Sequence, residues 1–505
     1  MTHSLARLAE DSFARLGDRE SLWFEGRFYS SGELRERSLR LTGGLVGLGV
    51  RPGDRVVVSM PNQPEVGISY AALWRAGAAI TPAMFLLTPA EVRHILQDSE
   101  AVGIITSPEL LPNIQQAADA VETVRWIATT GEAPDGTVSF SELERAEPHP
   151  IVEVGDDAIA AIMYTGGTTG RSKGVVLSHE NLWFCGKSSD AALEGPRLTR
   201  TLVPLPLAHS FGLIVTVVGL LSEEPGLAVL QRWFDPAGFL ELVQQHRIEQ
   251  ATVVPSMIQM LLQQPLENYD LSTLQVLVCG AAPLAPEVVD EVERRIPGAM
   301  VYEGYGLTES GAVVSRNVPG ARRLGSVGRV IPGYEVRIVD DQDRDVPDAE
   351  PGEIIVRAPG IMRGYWKSPE VTDQTLRGGW LHTGDIGRLD EDGYLFVLDR
   401  KKDLIIRGGF NVFPRDVEDA LLEHAAVGSA AVVGRPDPRL GEEVVAFVSL
   451  RPGTSATPDE LVEFARDRVG RHKYPREVRI VEAVPLTPVG KVDRKAVRSQ
   501  LVAAR

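Results

Sequence analysis

The stretch YTGGTTGRSKG, Tyr164 to Gly174, decides how this chain is read. It follows the apolar run AIAAIM, Ala158 to Met163, which has the length and composition of a buried strand. Four glycines, three threonines, a serine, an arginine and a lysine then crowd together. Glycine lets the backbone approach a ligand closely. Consecutive N–H groups form an anion nest, and the hydroxyls and cations add donors. Thr165, Gly166, Gly167, Thr168, Thr169, Gly170 and Lys173 are therefore candidate ligands of a polyphosphate. The loop is not of the Walker A type, because Lys173 stands between Ser172 and Gly174 and not within Gly-Lys-Ser/Thr. A P-loop kinase or GTPase is disfavoured.

The rest of the chain sets bounds on what such a loop serves. At 505 residues it exceeds one core, and a large domain with a smaller one fits that length. A net charge of −17 argues against nonspecific binding to nucleic acid or to anionic membranes. It leaves room for an anionic ligand, since one loop can be positive inside an acidic protein. Cys185 and Cys279 are the only cysteines, so neither a disulfide framework nor a cysteine zinc site is expected. The charged N-terminus does not read as a signal peptide, and LIVTVVGLL, Leu213 to Leu221, is too short to span a bilayer. The expectation is a cytoplasmic protein without stable membrane insertion, a monomer or a homodimer.

From about residue 54 to residue 305 short apolar runs alternate with helical patterns. DRVVVSMP reads as a strand and EVGISYAALWRAG as the helix after it; GAAITPA, VGIITS, VRWIATT, ATVVPS, QVLVCGAA and AMVYEGYG read as further strands. That alternation predicts parallel βαβ units, whose ligands gather beyond the carboxyl ends of the strands. From about residue 325 the strands come closer, with turns DDQDRD and DEDG, which predicts an antiparallel subdomain. After Arg400 a smaller unit begins, with helices at PRDVEDALLEH and TPDELVEFARDRV and strands at SAAVVG, EVVAFVSL and VRIVEA. The fold class expected is α/β: a large N-terminal domain of mostly parallel βα subdomains plus a β-rich subdomain, and a small α+β C-terminal domain.

Further motifs follow the loop in order. They are LPLAHSFG (Leu205 to Gly212), GAAPL (Gly280 to Leu284), YEGYGLTES (Tyr302 to Ser310), GWLHTGD (Gly379 to Asp385), DRKKDLIIRGGFNVFP (Asp399 to Pro414) and PLTPVGKVDRK (Pro485 to Lys495). Together they resemble the adenylate-forming superfamily of acyl- and aryl-CoA ligases, firefly-type luciferases and amino-acid adenylation domains, over nearly the whole chain. The resemblance implies an AMP-binding domain over 1–399, a hinge at 400–402 and a mobile domain over 403–505. It implies ATP, Mg²⁺ and coenzyme A, and a carboxylic acid that becomes an acyl-adenylate and then a thioester.

The resemblance also distributes roles. Thr308 would bind phosphate and Glu309 would hold Mg²⁺, a hard cation suited to carboxylate and phosphate oxygens. Read alone, Glu309 is an acid at a helix N-terminus. Tyr305, with Gly306 beside it, would stack on adenine while Gly280, Ala281 and Ala282 let the purine lie against backbone. Asp385 would accept from the ribose hydroxyls, and Arg400 would contact ribose or phosphate. Lys491 would bridge carboxylate and α-phosphate. Lys402 would be the hinge, and Gly408 and Gly409 would line the path of the pantetheine arm. No insertion separates Lys402 from Gly408, which favours CoA as acceptor.

His209 would lie near the substrate carboxylate as a static contact; a packing role is the alternative. Ser210 stands where amino-acid-activating relatives carry Asp, which argues against an amino-acid substrate. The acyl pocket is expected around Phe211 to Val215, Trp233 to Phe234, Val254 to Met257 and Gly280 to Tyr302. These segments are mostly apolar, with no evident buried cation and with Arg232 unplaced, so a fatty or aryl acid is expected. The alternatives are a ligase that loads a carrier protein and a non-catalytic nucleotide-binding homologue.

Overall fold

The computed structural model describes residues 3–165, 172–192, 197–487 and 492–502. Among these residues the strands form four sheets. In the first, Ala79–Pro82, Arg55–Ser59, Gly103–Thr106 and Trp126–Thr129 run parallel side by side. Val56, Val57, Ile104 and Ile105 are fully buried, as strands covered on both faces require. The helix Pro64–Arg75 opens on a proline, which loses nothing at a position whose N–H has no helical partner. Its residues Leu73, Trp74 and Arg75 are buried, Arg75 paired with Glu10.

The far edge of this sheet is antiparallel. Ile159–Thr165 pairs with Lys173–Ser178, Thr165 opposite Lys173, and Gly364–Tyr365 pairs outside them. The glycine-rich segment thus joins two antiparallel strands, a departure from the βαβ alternation of the surrounding sequence.

The second sheet runs parallel through Met300–Tyr305, Val276–Cys279, Gln250–Val253, Arg200–Val203, Leu227–Leu230 and Glu20–Phe24. Its last two strands come from the start of the chain, where Glu25 and Gly26 take φ of 43° and 86° and turn Glu20–Phe24 back as Arg27–Ser30. The sequence pattern carried no sign of that edge, because a hairpin far upstream cannot be assigned to a sheet by local periodicity. The third sheet is antiparallel: Glu335–Val339, Gly352–Arg357, Leu381–Leu389 and Leu395–Arg400. One core joins it to the first sheet, Ile354 and Val356 packing in the same cluster as Val56 and Leu73.

The smaller unit has its own sheet and core. Val427–Asp437 pairs with Gly441–Leu450, and Glu477–Ile480 runs parallel to the latter. Helix Pro458–Arg466 starts with a capping box: Thr457 Oγ1 accepts from the Glu460 N–H, and the Glu460 carboxylate accepts from the Thr457 N–H. Val432, Val444, Ala446 and Leu461 are fully buried between sheet and helices. Cys185 and Cys279 are free and buried. Among the described residues no helix is long and apolar enough to cross a membrane.

Candidate active site

The ends of three sheets meet around one cleft. Tyr305 closes the strand Met300–Tyr305, and Asp385 and Arg400 face each other across the antiparallel pair Leu381–Leu389 and Leu395–Arg400. The Tyr305 phenol donates to Asp385 Oδ2 at 2.7 Å, and Arg400 Nε stands 3.0 Å from Asp385 Oδ1. Asp385 is buried and Arg400 half-exposed. Burial and then the Asp385 charge hold the Tyr305 phenol well above its ordinary range, so it remains a donor. The Asp385 charge also raises Arg400. Thr383 Oγ1 accepts from the Asp385 N–H at 3.1 Å and donates to the Ile354 carbonyl at 2.7 Å, which ties the carboxylate to the sheet beneath.

At the edge of the first sheet the hairpin register brings Thr165 opposite Lys173. Gly166, Gly167, Thr168, Thr169 and Gly170 lie outside the described residues. The hairpin is anchored from the helix Pro89–Ser99. Tyr164 donates to Asp98 Oδ2 at 2.6 Å, and His94 Nε2 lies 2.8 Å from the Ser172 carbonyl oxygen. Thr308 and Ser210 share a hydrogen bond at 3.1 Å, which joins two motifs about a hundred residues apart. The Tyr365 phenol donates to Glu309 Oε1 at 2.9 Å, and Lys173 Nζ sits 5.3 Å from the centre of the same ring. Tyr365 was missed in the sequence; the short run RGYW carries no chemistry by itself, and only the pairing of Gly364–Tyr365 with Val175–Val176 brings it here.

Among the described residues no three acidic, histidine or cysteine side chains cluster as a metal cage. Glu309 instead offers one carboxylate beside a threonine hydroxyl. That donor set suits Mg²⁺, which takes one or two carboxylates and completes its shell with phosphate and water.

His209 caps the helix Ser210–Leu221, its Nδ1 accepting from the Phe211 N–H at 3.3 Å. The loop before it is held by Asn62, a residue the sequence reading passed over. Asn62 Nδ2 donates to the carbonyls of Leu205 and Gln231, and its Oδ1 accepts from the Leu207 N–H at 2.9 Å. Ala281 has φ of 73°, a left-handed conformation that strains a residue with a Cβ. Gly306 is required by space, because a Cβ there would strike the Ala312 carbonyl. Arg232 lies at the surface with Glu25 at 2.7 Å, and Trp233 is half-exposed against Phe85. Phe234 and Met257 pack on the core of the second sheet.

Beyond the cleft, Thr383, Gly384, Arg400, Lys401 and Lys402 line a cavity of about 280 Å³ where the chain passes into the smaller unit. Burial, then Arg400, lowers the Lys402 pKa. Gly408 and Gly409, with φ of 59° and 83°, form the tight turn between Ile405–Arg407 and Phe410–Val412. Ile406 and Phe410 on that hairpin are 55% and 60% exposed. Lys491 lies outside the described residues. Leu486 and Val492 on either side of its loop are bridged, and Arg494 pairs with both oxygens of the buried Glu418 at 2.8 Å.

A large unit of mixed sheets, a smaller unit with its own core and the cluster of Tyr305, Asp385, Arg400 and Glu309 fit a class of enzyme that activates an acid with a nucleotide. The chain belongs to the AMP-binding enzyme family: the family model matches residues 9–366, and the model of the AMP-binding enzyme C-terminal domain matches residues 416–491. It is 35% identical to 4-coumarate–CoA ligase 5 of Oryza sativa subsp. japonica, covering 97% of this chain and 94% of that one. It is 37% identical to a feruloyl-CoA synthase of Amycolatopsis sp, covering 92% of each. Among solved structures, the anthranilate CoA ligase AuaEII in complex with anthranoyl-AMP superposes with a TM-score of 0.92 at 27% identity, over 99% of this chain and 98% of that one.

Proposed function

We propose that the protein is an ATP-dependent acid–CoA ligase acting on an apolar fatty or aryl carboxylate in the cytoplasm. The observation that carries this reading is the convergence of Tyr305, Thr308, Glu309, Asp385 and Arg400 at one cleft, with Lys173 at its edge. The named relatives are CoA ligases or synthases of aryl acids, which supports the acceptor and the substrate class.

In the first half-reaction a carboxylate oxygen attacks the α-phosphorus of ATP. The bond to the bridging oxygen breaks, and diphosphate leaves with its electron pair. Two anions must approach, so fixed positive charge and oriented donors have to offset their repulsion. Thr165 to Lys173 hold the departing phosphates, Asp385 receives the ribose hydroxyls, and Tyr305 with Gly280, Ala281 and Ala282 flanks the base. Mg²⁺, held through Glu309, would neutralise phosphate charge when bound. Lys491 spans the carboxylate and the α-phosphate. His209, already used as a helix cap, needs to remove no proton, because the acid arrives ionised.

In the second half-reaction the sulfur of CoA attacks the acyl carbon, AMP leaves, and the thiol proton passes to solvent. Here the chain turns at Lys402 and carries the Gly408–Gly409 hairpin towards the cleft. The exposed Ile406 and Phe410 support that motion, since an apolar hairpin tip left in water gains by docking. The test is to supply ATP, Mg²⁺, CoA and a panel of fatty and aryl acids, following diphosphate and thioester. Diphosphate with no thioester would move the acceptor to a carrier protein. No diphosphate with any acid would leave only a nucleotide-binding homologue.

A further inference from the structure

Arg316 belongs to no motif, and its surroundings are unusual. It lies on the strand Ser315–Arg316, directly opposite Gly304. Gly304 in turn lies beside Gly280, because Cys279 and Glu303 are in register on neighbouring parallel strands. Residues in register carry their side chains on one face of a sheet. Neither glycine puts a side chain on that face. A Cβ on Gly304 would stand 3.6 Å from Arg316 Cβ, and a Cβ on Gly280 would stand 3.2 Å from Phe211 Cε1. Phe211, two residues beyond His209, therefore packs against Gly280, with Gly304 and Arg316 next to it along the same face.

Among the described residues that arginine has no partner. Its Nε is buried without a hydrogen bond, and it forms no ion pair. Burial alone pushes its pKa down to about 10, with no neighbouring carboxylate to oppose the shift. The nearby charges are committed elsewhere. Glu303, one residue along from Gly304, faces Arg415, Asp419 and Arg322. Arg329, opposite Arg316 on the next strand, stacks 4.6 Å over the Tyr394 ring. Among the described arginines nearby, Arg400 has Asp385 and Arg322 has Glu293. A guanidinium stays charged in a protein, and this half-buried one, with its Nε out of water and no counter-ion among the described residues, gains by pairing with an anion that arrives.

We infer that Arg316 is a specificity-determining residue: it receives a second carboxylate at the far end of the acid that the cleft activates. The inference rests on the ligase reading and refines its substrate to an acid of apolar body with an anionic group at each end. A bidentate carboxylate answers both the charge and the planar donor fork, whereas a neutral hydroxyl would leave the charge uncompensated.

The test uses matched acids that share one body, alkyl or aryl, and end in hydrogen, hydroxyl or carboxylate. For the wild-type enzyme, kcat/KM in diphosphate release should favour the carboxylate-ended member by on the order of 100-fold. Arg316→Met, of similar reach and apolar, should invert the order, weakening the diacid and improving the monoacid. Binding of the same acids, measured by calorimetry without ATP, should follow the same ranking. If the wild type prefers the hydrogen- or hydroxyl-ended member, or if Arg316→Met leaves the ratio as it was, the inference is overturned while the ligase reading stands. If no acid releases diphosphate but diacid binding is lost in Arg316→Met, the ligase reading falls and the pocket assignment survives. Arg316→Lys keeps the charge without the fork and should fall between the two.

Discussion

The two walls of the cleft are built on opposite plans. On the side proposed for the nucleotide, described groups are already linked: Tyr305 and Arg400 converge on Asp385, and Tyr365 links Glu309 to the neighbourhood of Lys173. On the acyl side the guanidinium of Arg316 has no partner among the described residues. The difference teaches which ligand is common and which is particular. A nucleotide is received by donors held in place in advance, so that little reorganisation is needed when charge develops. An acid that differs from one ligase to the next is selected by the group left waiting for it.

The contrast can be broken most severely at the groups proposed to meet the nucleotide. Lys491→Ala should slow adenylation by about 1000-fold, the order expected for loss of a principal donor to the transition state. Thioester formation from supplied acyl-adenylate should be largely spared, and single-turnover measurement of each half-reaction checks this. Asp385→Ala removes the acceptor of Tyr305 and the counter-ion of Arg400 at once. It should lower kcat/KM for ATP by about 100-fold, two bonds to a charged group being involved. Tyr365→Phe keeps the ring beneath Lys173 but frees Glu309. Binding of Mg²⁺-ATP, followed by calorimetry, should weaken about 10-fold, the scale of a lost outer partner of a metal ligand.

On the acyl side the same changes go the other way for stability. Arg316→Met removes an uncompensated charge and should raise the thermal midpoint by roughly 2 °C. A carboxylate beneath the nucleotide wall gives a finer comparison. Burial pushes the Glu303 carboxyl up to about 7. The folded state then holds its proton more tightly than the unfolded chain, whose carboxyl titrates near the ordinary value. Its contribution is therefore full below that value and is lost as pH rises to about 7. Glu303→Gln should flatten this part of the stability profile, as urea unfolding between pH 5 and 8 would reveal.

Much of the architecture was legible because it is local. The parallel strands announce themselves as short apolar runs between helices, and the capping box at Thr457 stands in four consecutive residues. The motif residues stood out by type and order, and the structure brings three of them into contact: Tyr305 and Arg400, each at the end of its strand, meet Asp385 within Leu381–Leu389. What escaped was everything fixed by pairing between distant segments. Tyr365 reaches Glu309 only through its edge strand, and Asn62 fixes the loop of His209 from another sheet. Arg316 gains its meaning from two glycines on neighbouring strands. No window of sequence shows that an arginine lacks a partner.

The most direct trial is a stepwise single turnover with the acid in excess over enzyme. On adding ATP and Mg²⁺ the account predicts one equivalent of diphosphate and enzyme-bound acyl-AMP, and on adding CoA the release of AMP and the thioester. Formation of ADP and inorganic phosphate in the first step, or thioester appearing without any adenylate before it, would contradict the account.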